Sequence, residues 1–245
     1  MKVVRRFFDT LGFLTRLAPA RVIPEEEMNK CMAYMPVVGV ALGTIIVLPF
    51  ALGLFSSSPW VQAWLMVILN VYLTRGLHFD GLSDVCDAVT THTDPDRFWE
   101  VIKDSRSGAF GVIGLVMALG GQVILFHEMI NAGGYGAIVW AFILGRAACV
   151  WLGFYVRHLT RPGLGKLYID GATLGVALIT AVTTFVLGVF LAGPLATIAA
   201  TVIATAALYP LYRLAVHVDG ANGDFLGCSV LLGELAAGLG FLLFL

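Results

Sequence analysis

The chain has 245 residues, 59% of them hydrophobic and only 13% charged, with a net charge of -1 and a pI of about 6.5. A mean hydropathy of +0.89 argues against a water-soluble globule, and the lack of net positive charge leaves no field to hold a nucleic acid partner. The four scattered cysteines, Cys31, Cys86, Cys149 and Cys228, fit neither a disulfide framework nor a zinc knuckle and read as small buried hydrophobes.

The opening stretch "MKVVRRFFDTLGFLTRLAPA" has the basic start and the A-x-A-like end of a signal peptide, but Asp9 and Arg16 interrupt its apolar part. The expectation is a cytoplasmic, interfacial segment over 1–34, with Phe7, Phe8, Leu11 and Leu14 toward lipid and Arg5, Arg6 and Arg16 toward headgroups. Apolar segments then run at roughly 35–54, 58–77, 110–130, 135–156, 171–191, 195–215 and 225–245. Each is near the ~20 residues that a bilayer core requires, and backbone groups in lipid must bond within their own segment. The fold class is therefore all-α: a polytopic integral membrane protein of about seven transmembrane helices, six or eight being the alternatives, forming one membrane-embedded domain over 1–245.

Lys and Arg cluster before the first span, between 97 and 106, and between 157 and 166, whereas the turns "FSSSP", "HEMINAGG" and "AGPL" contain none. The positive-inside rule then places the N-terminus and the loops 78–109, 157–170 and 216–224 in the cytoplasm. Asp-Gly pairs recur on that side, at Asp80-Gly81, Asp170-Gly171 and Asp219-Gly220, and the first and third share His-x-Asp-Gly, a faint internal echo.

The stretch "LHFDGLSDVCDA" collects Asp80, Asp84 and Asp87 at the end of a long apolar run. On a helix, at about 100° per residue, they share an arc of roughly 60°. Crowded carboxylates raise one another's pKa unless a cation shares them, and Mg²⁺ suits such hard oxygen donors. The alternative is a solvated helix start with carboxylates at the positive dipole end; near a membrane boundary unpaired charge is costly, which favours the metal. In "FWEVIKDSRSGAFG", Lys103, Ser105 and Arg106 adjoin a Ser-Gly turn whose amides, Gly108 among them, suit a phosphate. The plainer alternative makes Lys103 and Arg106 headgroup anchors with Asp104 as ion-pair partner. The "RHLTRPGLGK" loop fits phosphate and lipid headgroups equally, and "HVDGANGDFLGC" reads as a turn capping a helix or as a flexible phosphate loop. Glu234, deep in the last span, is either functional or the partner of Arg146. His78 and His217 flank acidic motifs and could serve as base or ligand; His92, His127 and His158 read as polar caps.

"HFDGLSDVCDA" followed by "IKDSRSGAFG" resembles the paired signature of the cobalamin synthase family, the adenosylcobinamide-GDP ribazoletransferases, H-L-D-G-L-x-D-x-x-D-A and M-K-D-S-R-x-G-x-F-G. "FLTRL", "YMPVVG", Gly145-Arg146 and the "GLG" of 163–165 add to the resemblance, which covers nearly the whole chain. Where the family's last loop reads G-G-x-T-G-D, this chain has Gly220-Ala221-Asn222-Gly223-Asp224. The resemblance implies a Mg²⁺-dependent enzyme of the bacterial or archaeal plasma membrane that joins α-ribazole, or its 5′-phosphate, to adenosylcobinamide-GDP with release of GMP. It implies Asp80, Asp84 and Asp87 as metal ligands and Lys103, Ser105, Arg106, Gly108 and Arg146 as substrate contacts. His78, Asp104 and Asp224 are the catalytic candidates, and a homo-oligomer is compatible with all of this. A CDP-alcohol phosphotransferase is a rival, but its Asp-Gly-x-x-Ala-Arg step is missing; an ion-coupled transporter would place its acids at the bilayer midplane.

Overall fold

The computed structural model describes residues 2–245, and among these there are helices and one isolated β-bridge but no strand. Helices α1 (Lys2–Leu14) and α2 (Glu25–Cys31) lead into α3 (Met35–Ala51) and α4 (Pro59–Thr74), followed by the shorter α5 (Leu77–Ala88) and α6 (Pro95–Val101). The rest comprises α7 (Ala109–Asn131), α8 (Tyr135–Val156), short α9 (Leu164–Ile169), α10 (Leu174–Leu191), α11 (Pro194–His217) and α12 (Gly223–Leu242). Six helical stretches are long and apolar enough to cross a membrane: Glu25–Ala51, in which α2 runs into α3, and α7, α8, α10, α11 and α12. With α4, which is apolar but has only 16 residues, they occupy the seven expected segments. The 78–109 region is no open loop, since it carries α5 and α6.

Local chemistry sets the boundaries. Pro59, Pro95 and Pro194 sit in the first turns of α4, α6 and α11, where a missing N–H costs nothing. Arg75 and Gly76, at φ 57° and 69°, are both left-handed and break α4 from α5. Arg75 is held there by the carbonyls of Gly12 (2.8 Å), Phe13 (3.1 Å) and Thr15 (2.7 Å). The His-x-Asp-Gly echo is no structural repeat: 78–81 lies inside α5, whereas 217–220 ends α11 and turns through Asp219 at φ 48°.

The α8 and α12 helices are mostly buried, while α7, α10 and α11 turn most of their apolar side chains outward, the distribution lipid solvation demands. At the centre, Arg146 of α8 pairs with Glu234 of α12, and both are 1% exposed. Glu234 also accepts from Asn70 of α4 (3.2 Å) and Gln122 of α7 (2.5 Å), so one carboxylate ties four helices. Arg146, expected as a substrate contact, is thus buried inside the bundle with Nη1 on Glu234, the other partner the sequence offers for it. The N-terminal segment needs a correction. Leu11 and Leu14 pack into the protein core instead of facing lipid, with Phe7 against them; Arg6 binds Glu27 (2.7 Å), and Arg16 donates to the Tyr72 carbonyl (2.9 Å). Only Phe8 remains exposed among the four apolar residues.

Losing one partner of a buried pair strands the other charge, so Arg146→Met or Glu234→Leu alone is expected to destabilise the protein by about 3–5 kcal/mol. The double variant costs much less than the sum. Denaturant unfolding in detergent checks this, and additive single effects would show that the pair does not couple the helices.

Candidate active site

Helix α5 is two-faced. Its His78, Phe79, Leu82, Ser83 and Val85 are buried, which leaves Asp80 exposed and Asp84 and Asp87 half-buried on the other side. Gly81 brings that face against the start of α12, where a Cβ would stand only 2.9 Å from Asp224 Cα. Gly227, one turn on, would set a Cβ 3.3 Å from His78 Cα. Two glycines thus allow the backbones to cross closely enough for Asp224 to join the α5 carboxylates. Asn222 caps α12 by accepting from the Asp224 amide (3.2 Å), and its own amide donates to Asp224 Oδ2 (2.6 Å), so Asn222 fills the place where the family pattern has Thr one residue before Gly223.

The electrostatics follow from this crowding. Burial, then the neighbouring Asp224, Asp80 and Asp87 carboxylates, push the Asp84 carboxyl up to about 7. Asp87 is in a different situation: it accepts from the amides of Gly108 (2.6 Å) and Gly111 (2.8 Å), capping the N-terminus of α7. A Cβ at Gly108 would meet Asp87 Oδ1 at 2.5 Å, and one at Gly111 would overlap the same carboxylate. The anion at this helix start is therefore a side chain of the protein: the Gly108 amide expected for substrate is taken by Asp87, the residue expected as a metal ligand beside Asp80 and Asp84.

Lys103, Ser105 and Arg106 lie exposed in the turn between α6 and α7. Arg106 grips Asp104 through its side chain (2.7 and 3.0 Å) and its amide (3.1 Å), and these bonds hold the Asp104 carboxyl down at about 2. An acid held so low is a poor proton acceptor. His78 is 5% exposed; burial, aided by Arg146, lowers its pKa well below the usual histidine range, so the ring is neutral. Above the α12 start, Trp99 Nε1 donates to the Val218 carbonyl (2.9 Å), Arg161 lies over the Trp99 ring (4.8 Å), and the 159–161 and 221 backbones bond to each other. This roof holds the 218–222 turn in place.

Asp80 stands between two openings. On one side is a cavity of about 210 Å³ whose walls include Phe13, His78, Tyr168, Asp224 and Leu226. On the other is an open groove of about 690 Å³ with Arg21, Ser83, Ser107 and Leu115 along it. The cavity's apolar residues come from α1, α3, α5, α8, α9 and α12, so no single stretch of the sequence reveals it.

The donor set fits Mg²⁺. Among the described residues, no Lys, Arg or His forms an ion pair with Asp80, Asp84 or Asp224, and the neighbouring carboxylates add to burial in raising Asp84. Among the described residues no three His, Cys, Asp or Glu side chains come together as a group that could hold a metal ion by themselves. Mg²⁺ typically takes one or two carboxylates and fills its shell from water and phosphate, so such a group is not needed.

The cobalamin-5-phosphate synthase family model matches residues 6–242. An adenosylcobinamide-GDP ribazoletransferase of Nitratidesulfovibrio vulgaris strain Miyazaki F is 49% identical over 95% of this chain and 92% of its own length. Proteins of the same name from Klebsiella pneumoniae strain 342 and Clostridioides difficile strain 630 are 31% and 27% identical, each over 95% of this chain and over 97% and 95% of their own lengths. No solved structure matches. A family match across nearly the whole length, together with the acidic α5 face and its α12 partner, makes this chain a member of the cobalamin-5-phosphate synthase family.

Proposed function

We propose that the crossing of α5 and α12 is where this chain attaches the lower ligand of cobalamin. The ribose hydroxyl of α-ribazole, or of its 5′-phosphate, attacks the corrinoid-bearing phosphate of adenosylcobinamide-GDP. The ribose oxygen to phosphorus bond forms, the bridging bond of the diphosphate breaks, and GMP leaves with the electron pair. The observation that carries this reading is the convergence of Asp80, Asp84 and Asp224 at one edge without a basic partner, next to a turn bearing Lys103 and Arg106.

Asp80, Asp84 and Asp224 are the residues that would hold Mg²⁺. When bound, the ion supplies neutralisation of the diphosphate and of charge developing on the leaving oxygen. Lys103 and the exposed Arg106 guanidinium offset the remaining phosphate charge. Asp87 orders the segment that carries them by fixing the start of α7. Among the catalytic candidates, Asp224 is best placed to accept the hydroxyl proton: Asp104 is held by Arg106, and His78 is shut inside. The Lys and Arg distribution supports a position for this edge on the cytoplasmic side of the plasma membrane. A transporter reading finds little support, since the acid deep in a span, Glu234, is locked to Arg146.

Purified protein given adenosylcobinamide-GDP and α-ribazole is expected to release GMP only with Mg²⁺ present. Asp84→Asn should reduce turnover by about two orders of magnitude; full metal-dependent turnover in that variant would remove Asp84 from the site. Gly81→Ala, which forces α5 away from Asp224, is expected to cost about 100-fold in kcat. Retention of normal kcat would show that the close crossing is not needed. Asp87→Asn should lower kcat without changing the Mg²⁺ concentration for half-maximal rate, and a shift in that concentration would make Asp87 a ligand after all.

A further inference from the structure

We propose that the cavity of about 210 Å³ beside Asp80 and Asp224 seats the aromatic base of the acceptor nucleoside, an inference that rests on the ribazole-transfer reading above. The wall is mainly apolar, built from Phe13, Leu14, Met35, Tyr168 and Leu226, with Phe13 and Tyr168 stacked at 5.2 Å and 21°. It also includes His78, whose buried Nε2 has no protein partner, on a residue 5% exposed. Unpaired buried polar atoms of this kind are uncommon and call for a partner.

Size and polarity select the occupant. An apolar cavity of about 150 Å³ takes up benzene, so a cavity of about 210 Å³ open at one end accepts a fused bicyclic ring and excludes a corrin. Guanine, with donors and acceptors around its edge, would find partners only at the Asp80 and Asp224 end of such a wall. A benzimidazole presents apolar carbon along one side and a single ring nitrogen as acceptor, which an N–H at His78 Nε2 can meet. Because Asp80 and Asp224 line the same cavity, a base seated inside leaves its ribose at the carboxylates. The wider, more polar groove across Asp80 remains for the diphosphate donor.

Cys149→Leu and Leu226→Phe fill the cavity from two walls, and neither residue lines the groove. In lipid nanodiscs, each is expected to raise the KM for α-ribazole by about tenfold while leaving the KM for adenosylcobinamide-GDP unchanged. The penalty should be smaller with the riboside of unsubstituted benzimidazole than with the dimethylated base. Thermal unfolding of both variants separates filling from misfolding. Binding of α-ribazole without donor, followed by calorimetry, should weaken in parallel. Unchanged α-ribazole affinity in both folded variants, or a change in donor KM alone, would overturn the assignment and leave a lipid chain as the occupant. If wild-type protein binds α-ribazole, and the filled variants do not, yet no GMP is released, the base site stands and the transfer reading fails. If GMP is released and the filled variants match wild type, the reverse holds.

Discussion

Everything in this protein hangs on how closely α12 can be approached. A Cβ at Gly233 would stand 2.8 Å from Gly145 Cα of α8, and one at Gly238 would press on Leu125 of α7 at 2.9 Å. Together with Gly81 against Asp224, these contacts bring α5 and α8 against the α12 backbone, while α7 sets its Leu125 side chain into the notch at Gly238. In lipid, where apolar burial between helices gains little, such backbone proximity and the Arg146–Glu234 knot are the available sources of cohesion. The same helix then ends, at its N-terminus, in Asp224.

The chemistry inherits that rigidity. Asp84 would be an ordinary surface acid on a free helix; it is pushed up to about 7 because α5 is packed down and faces other carboxylates. The small residues that permit this crowding are as much a part of the site as the acids.

The spans were legible in the sequence because about twenty apolar residues in a row suit little besides a bilayer. The acidic face was legible because the spacing of Asp80, Asp84 and Asp87 matches a helix. What periodicity does not contain is the identity of the neighbour. The apolar stripe of α1 reads the same whether lipid or protein covers it, and Leu11 and Leu14 face protein. Asp87 shares the stripe of Asp84, yet its partners lie 21 and 24 residues further along the chain, so its capping role was invisible. The break after Thr74 was also hidden, since left-handed Arg75 depends on carbonyls 60 to 63 residues away. The pairing of Arg146 with Glu234 stood among the alternatives, because two opposite charges deep in apolar spans have few groups but each other to bind.

The brevity of α4 has a consequence of its own. Its 16 residues rise about 24 Å, some 6 Å short of a typical hydrocarbon core of ~30 Å. The leaflets must pinch toward α4 or its ends must sink below the headgroups. Because α5 begins three residues after α4 ends, any shortfall in the length of α4 is passed directly to the start of the helix that carries the carboxylates.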